Sequence, residues 1–390
     1  MEAISERVQV QTVEEGFKSL AQIAKEESHG GKVLLLTEET RRGDDAHAAL
    51  SLLGLPVARR NLTSATLSDY ALLCDRALPE NIMAVVGAGG AAQTEAAKAV
   101  RIGRSVPRIL FPLDLAALSA MDERAFFGTK GDTLTIRSDG HRVLFSPEML
   151  GKSEDVRAGL GYLLARIVEE TDDAYRLPIT RKGSPAPILR RIKKALLCLG
   201  KIREEDAAAD IAAIALSFAK DSLLSSASES DGAHLFALLA AKQTGGTYSD
   251  YLFPAAYALI RLYSYYLSDL PLEHCPPPDR ARNAELLGAR CGISASALLS
   301  REKEYAEDYE ERMRLTAEYR EDFREVLAQD LPLSHLARIY RRAERREGSD
   351  PLSTGRILSL LSLTGEAVSG YSLIKHIKMT GLIEPLLVAG

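Results

Sequence analysis

Short apolar runs alternate with helical patterns over the first 150 residues. Residues 32–37 (KVLLLT) form an unbroken apolar run of strand length, the pattern of a strand covered on both faces. Residues 44–53 carry apolar positions at helical spacing, 56–60 read as a second strand, and 67–77 again have helical spacing. The strongest strand pattern is 82–86 (IMAVV), followed by a helix over 91–101 and a strand over 108–111 that Pro112 ends. Strands alternating with helices predict βαβ units on a parallel sheet. Residues 133–137 and 142–146 flank Ser138-Asp139-Gly140-His141, and turn residues between two short runs predict a β-hairpin.

Beyond about residue 150 no further strand pattern stands out. Helical apolar spacing covers 156–170, 187–199, 207–224, 234–242, 253–267, 282–291, 295–328, 333–346, 355–361 and 372–380. The expectation is an α/β domain over residues 1–150 and an all-α C-terminal domain over residues 151–390.

Composition narrows the function classes. A chain of 390 residues can bury its core without disulfide or metal staples. Hydrophobic residues at 46% and charged residues at 26% are ordinary for a globular protein. The net charge of −5 argues against a nucleic-acid partner. The acidic, polar N-terminus does not read as a secretion signal, and the apolar stretch 252–260 is too short to span a membrane. Cys74, Cys198, Cys275 and Cys291 lie far apart and form no CxxC pair, which predicts reduced thiols in a cytoplasmic protein. With seven His and four Cys, any metal or thiol site draws on a short stock.

The first chemical signal is Gly87-Ala88-Gly89-Gly90-Ala91-Ala92, which fits G-x-G-x-x-[GA] between the strongest strand and a helix. Glycines let the backbone turn sharply and approach a pyrophosphate, while free N–H groups and the dipole at the helix start favour phosphate. A ligand-free βα turn has the same composition. In the usual dinucleotide fold this loop opens the first βαβ unit, whereas here about two strands precede it.

The stretch from Val85 to Lys98 (VVGAGGAAQTEAAK) resembles the GGGS-x-x-D-x-x-K motif of the dehydroquinate synthase-like superfamily. That group includes glycerol dehydrogenase, glycerol-1-phosphate dehydrogenase and the iron-containing alcohol dehydrogenases. Gly89, Gly90 and Lys98 match, Ala91 and Ala92 replace the third Gly and the Ser, and Glu95 replaces the Asp. Pro107 to Pro112 resembles the family's next strand, with Leu113-Asp114 in place of its Thr pair. The resemblance implies NAD held in a cleft between the halves, with Gly87, Gly89, Gly90 and Ala91 at the pyrophosphate and Thr37 and Glu38 near the adenosine. Glu38 is placed either to accept from a ribose 2′-OH or to serve in a helix-capping acid cluster.

The resemblance also implies a Zn or Fe ion in the helical half, acting as a Lewis acid on the substrate oxygen. Tyr162 stands where the family's acidic ligand is expected. His234, in SDGAHLFAL, matches the first His, while Leu238 and Tyr248 stand at further ligand positions. Three alternatives follow. The chain is a degenerate relative that binds a nucleotide or partner without the metal. Or His234, Tyr162 and Tyr248 supply rebuilt acid–base groups. Or His234 and Asp250, with Asp172 as a further option, hold a metal in a shifted register. The activity implied is NAD(H)-dependent oxidation or reduction, or a cyclase-type reaction, of a small polyol or sugar-derived alcohol. The expected partner is a small-molecule substrate rather than nucleic acid or a membrane, and a homo-oligomer is left open.

Overall fold

Each central strand is apolar on both sides because both faces of the sheet are covered. In the computed structural model, the described residues are 2–3, 7–63, 78, 81–100, 105–129, 132–220, 231–244, 246–268, 281–282, 284–285, 296, 309–327, 330–343, 352–368, 371–381 and 383. The strands are β1 (Glu2–Ala3), β2 (Val8–Thr12), β3 (Lys32–Thr37), β4 (Val57–Asn61), β5 (Ile82–Gly89), β6 (Arg108–Pro112), β7 (Arg124–Thr129), β8 (Asp132–Arg137) and β9 (His141–Phe145). Seven of them form one sheet in the order β1-β2-β9-β6-β5-β3-β4. All neighbours in it are parallel except β1, which runs against β2.

Alternation along β3 sorts the two cores. Val33 and Leu35 face α1 (Phe17–Glu27) and α2 (Arg41–Leu52), in a cluster with Leu20, Ala24, Ala46 and Leu50. Leu34 and Leu36 face the other way, in a cluster with Ala96 and Ala97 of α3 (Ala91–Ala99) and with the helical half. That half enters through a 3-10 turn at Leu115–Met121, α4 (Pro147–Leu150) and the 24-residue α5 (Val156–Ile179). It continues as α6 (Ala186–Leu199), α7 (Ala207–Lys220), α8 (Gly232–Thr244), α9 (Tyr248–Ser268), α10 (Tyr309–Leu327), α11 (Asp330–Arg342), α12 (Thr354–Ala367) and α13 (Leu373–Met379). α5 packs against α6, α7, α9 and the 3-10 turn. At its crossing with α9 a Cβ on Gly161 would lie 2.6 Å from the Phe253 backbone N, so only glycine permits this approach. No described helix is long and apolar enough to cross a membrane.

The α/β half followed by an all-helical half agrees with the sequence pattern, as do the strands at 32–37, 57–61, 82–89 and 108–112. The predicted hairpin is corrected. Residues 142–146 do not turn back on 133–137: β8 pairs antiparallel with β7, while β9 lies in the main sheet between β2 and β6. Val143, Leu144 and Phe145 are all fully buried, which a two-stranded ribbon cannot provide and a central parallel strand can. Asp172 and Asp173 lie inside α5 and are buried. The predicted helix at 67–77, most of that at 282–291, and Cys74, Cys275 and Cys291 lie outside the described residues; Cys198 is a free thiol.

Two buried histidines tie this fold to pH. His141 joins β9 to the 3-10 turn through Ala120 O at 2.8 Å, and His376 of α13 meets the Tyr266 hydroxyl at 3.0 Å. Burial, with Lys98 near His141 and Arg312 near His376, lowers each from 6.5 to about 3. Both stay neutral in the fold but take up a proton in the unfolded chain below 6.5, so stability is full above that value and falls as pH drops towards 3. Between about pH 7 and pH 5 each histidine is expected to remove about 2 kcal/mol, read from urea unfolding, and His376→Gln should flatten that slope.

Candidate functional site

The strand order reverses between β3 and β5: the chain runs from β3 outward to β4, then crosses back to β5. Open α/β sheets bind ligands at the carboxyl ends of strands beside such a point. Those ends are here Thr37 and the loop Gly87–Gly90. Leu36 pairs with Gly87, and the Thr37 hydroxyl donates to Ala88 O at 2.8 Å. α3 starts at Ala91 with Gly90 as N-cap and no side-chain cap. Its first N–H groups therefore carry the positive end of the helix dipole. The loop is tight. A Cβ on Gly89 would lie 2.8 Å from the Gln93 side chain, and one on Gly90 would lie 2.6 Å from Asp114 Oδ2. Asp114 also caps the 3-10 turn, accepting from Ala117 N at 3.1 Å, so a carboxylate stands beside the phosphate-type loop. Arg42 of α2 donates to the neighbouring Leu113 O at 2.8 Å. Glu38 is partly exposed just past β3, and its carbonyl accepts from Arg59 at 3.2 Å.

The Glu95-x-x-Lys98 part of the loop motif faces inward. Lys98 Nζ lies 2.9 Å from Glu95 Oε2, with both side chains buried, and it also donates to Ser119 O at 3.0 Å and to Arg124 O. Glu95 accepts from the Ser119 hydroxyl at 2.6 Å and from Phe126 N at 2.7 Å. The pair thus fixes α3 to the 3-10 turn and to β7.

One layer further in is a second buried charge cluster. Arg124, on β7, donates to Asp122 Oδ1 through Nε at 3.0 Å and to Asp122 Oδ2 at 2.9 Å, and reaches Glu169 Oε1 of α5 at 2.5 Å. Arg166 bonds Glu169 Oε2 and lies 3.7 Å from Asp122. His234 of α8 has Nε2 3.3 Å from Glu169 Oε1 but not hydrogen-bonded to it, and its Nδ1 meets the Tyr248 hydroxyl at the start of α9. Phe126 stacks on His234 at 4.5 Å and on Tyr248 at 5.2 Å. Burial alone would favour the protonated carboxyls. The Arg124 charge nevertheless holds Asp122 far below the usual carboxylate range, and Arg166 and Arg124 lower Glu169. Burial, reinforced by neighbouring carboxylates, pushes the Tyr248 phenol well up and keeps its proton on.

Of the residues singled out by sequence, His234 and Tyr248 meet, and Tyr162 is buried beside the same charges, its phenol pushed up by that burial. Asp250 is elsewhere in its bonding: it accepts from Thr247 N at 2.9 Å and caps α9. Asp172 accepts from Tyr263 at 2.9 Å and from Leu373 N at 2.8 Å, a structural tie between helices. Sequence reading missed Asp122, Arg124, Arg166 and Glu169. Arg124 sits on a strand that the apolar pattern did not reveal.

Asp122, Glu169 and His234 each offer one metal-type donor, all within 4.8 Å of one another. These donors do not fit a divalent ion as they stand. Every oxygen of the two carboxylates already accepts from Arg124 or Arg166, and two guanidinium charges balance the two carboxylates.

No protein-family model and no curated relative matches the chain. Solved structures do. An iron-containing alcohol dehydrogenase from Thermotoga maritima aligns over 100% of both chains at 12% identity with a TM-score of 0.59. Maleylacetate reductase from a Rhizobium species aligns over 99% of this chain and 97% of its own, at 13% identity and TM-score 0.54. Sulfoacetaldehyde reductase from Bifidobacterium kashiwanohense, solved with NAD+, covers 100% of both at 11% identity and TM-score 0.55. The chain therefore has the fold of the iron-containing alcohol dehydrogenases, as the glycine-loop resemblance implied.

The Glu95–Lys98 pair yields a direct test of the inner scaffold. Lys98→Met leaves a buried carboxylate uncompensated and should cost about 3–5 kcal/mol in denaturant unfolding, with the double variant E95L/K98M recovering part of the loss. A cost below about 1 kcal/mol would mean that the pair does not hold the layers together.

Proposed function

We propose that this chain is an NAD(H)-binding oxidoreductase acting on a small polyol or sugar-derived alcohol, without a divalent ion. The supporting observation is the uncapped glycine loop at the point where the strand order reverses. Oxidising an alcohol sends a hydride from carbon to the dinucleotide and the hydroxyl proton to a base. The protein's share is the proton. The Tyr248 phenol bonds the His234 imidazole, whose Nε2 lies 3.3 Å from the Glu169 carboxylate without a hydrogen bond to it. With the phenol donating to Nδ1, the Nε2–H faces the carboxylate, an arrangement that suits acid–base work. A second reading, a nucleotide-binding relative without turnover, is favoured by burial: Tyr162 and Tyr248 are each 6% exposed and His234 is 0% exposed.

Calorimetric titration with NAD+ and NADH, followed by an absorbance assay over small polyols and sugar alcohols, separates these readings. Binding should occur at millimolar nucleotide or below, and Gly89→Val should abolish it by crowding Gln93 at the loop. Asp114→Asn keeps the cap oxygen but removes the charge beside the loop, and should tighten binding about fivefold. Tyr248→Phe should cut turnover by roughly 10²–10⁴ while leaving nucleotide binding unchanged. No binding removes both readings, and binding with no turnover of any alcohol selects the second.

A further inference from the structure

We propose that Arg124 and Arg166 do here the charge-balancing work of a divalent ion, and that removing them turns Asp122, Glu169 and His234 into a metal site. This deepens the metal-free part of the proposed function and does not depend on whether the glycine loop holds a nucleotide.

The donor chemistry is right for a metal. Two carboxylates and an imidazole suit Zn, Fe(II) or Co(II), and their donor atoms converge within 4.8 Å in a fully buried place. Three segments distant in sequence bring them there: the turn before β7, the middle of α5 and the start of α8. What closes the set is equally specific. Arg124 makes a paired contact with Asp122 through Nε and Nη2 and reaches Glu169 from the same guanidinium. Its own backbone N–H also donates to Asp122 Oδ1 at 2.8 Å. Arg166, one turn from Glu169 on α5, takes the remaining carboxylate oxygen.

A metal ordinarily enters a site by displacing protons from its ligands or water from the space between them. A guanidinium gives up no proton under any ordinary condition, so the ion would have to expel a whole side chain. Both side chains are enclosed as well. Arg124 lies over the Phe126 ring at 5.3 Å, and the Arg166 side chain is only 4% exposed. Guanidinium and divalent ion are therefore alternatives for the same two carboxylates, and the sequence has selected the guanidinium.

The test uses the full chain, purified without a tag. Wild type incubated with Zn2+ or Co2+ and then dialysed should retain only traces by elemental analysis, with no cobalt d–d absorption. The variant R124M/R166M leaves two buried carboxylates without cations. It should melt at lower temperature than wild type, recover on adding Co2+, and show the visible band of a site with nitrogen and oxygen ligands. Adding Glu169→Gln should remove that band. Arg124→Ala alone removes the two guanidinium hydrogen bonds to Asp122 and the one to Glu169 Oε1, leaves Arg166 3.7 Å from Asp122, and should show a weaker version of the same gain. Stoichiometric metal in wild type overturns the proposal. So does a folded variant that takes no cobalt, or an unfolded one whose circular dichroism Co2+ does not restore. NADH titration of the metal-free wild type is read separately, so loss of the nucleotide reading would leave this result intact.

Discussion

The requirement that buried charges be neutralised from within organises the centre of this protein. Moving an ion out of water costs several kcal/mol even after relaxation, and only close opposite charges and filled hydrogen bonds offset it. Glu95 and Lys98 meet that requirement beneath the sheet; Asp122, Arg124, Arg166 and Glu169 meet it one layer further in. The two groups touch. Lys98 donates to the backbone carbonyls of Ser119 and Arg124, which bracket Asp122. Charge balance therefore joins α3, the 3-10 turn, β7 and α5 in one unit, and α8 is added through His234. Because the partners come from different layers, the sheet and the helical half must dock in one register or leave a carboxylate stranded.

This constraint explains why the glycine loop keeps only half its apparent meaning. Its outer part, Gly87 to Ala91, retains what phosphate recognition needs: a close turn and a helix start without a side-chain cap. Its inner part, Glu95-x-x-Lys98, is a buried ion pair and serves the docking just described. A single sequence motif thus contains two parts separated by one helical turn, and only the outer one has the backbone features of a phosphate site.

Much of the α/β half could be read from the chain because its strands are covered on both sides. Residues 32–37 and 82–86 are apolar without interruption, and such runs are visible without knowing their partners. β2 and β7 escaped, since VQVQT alternates with polar residues and RAFFGT begins on the arginine that closes the charge cluster. The false hairpin at 133–146 has the same origin. Local turn chemistry was legible, but the partner that claims β9 lies more than a hundred residues earlier, in β2. At the site, His234 and Tyr248 could be found by resemblance. Glu169 could not, because EETDD reads as a solvated stretch until its partners appear, and Arg124 bonds it from 45 residues away.

Replacing an exchangeable ion by fixed guanidinium groups changes what the centre can do. A bound metal can present an open coordination position and polarise a substrate oxygen there. A guanidinium whose donors already serve two carboxylates has no such position, and its charge is permanent across the physiological pH range. The cluster is accordingly electrostatically quiet: two acids are held ionised and two bases protonated, with no group among these four left to titrate near neutrality. Tyr248, His234 and Tyr162 adjoin these four groups, and burial holds both phenols protonated. The glycine loop and that phenol–imidazole pair are linked through Phe126 by the α3–β7 contacts that Glu95 and Lys98 maintain.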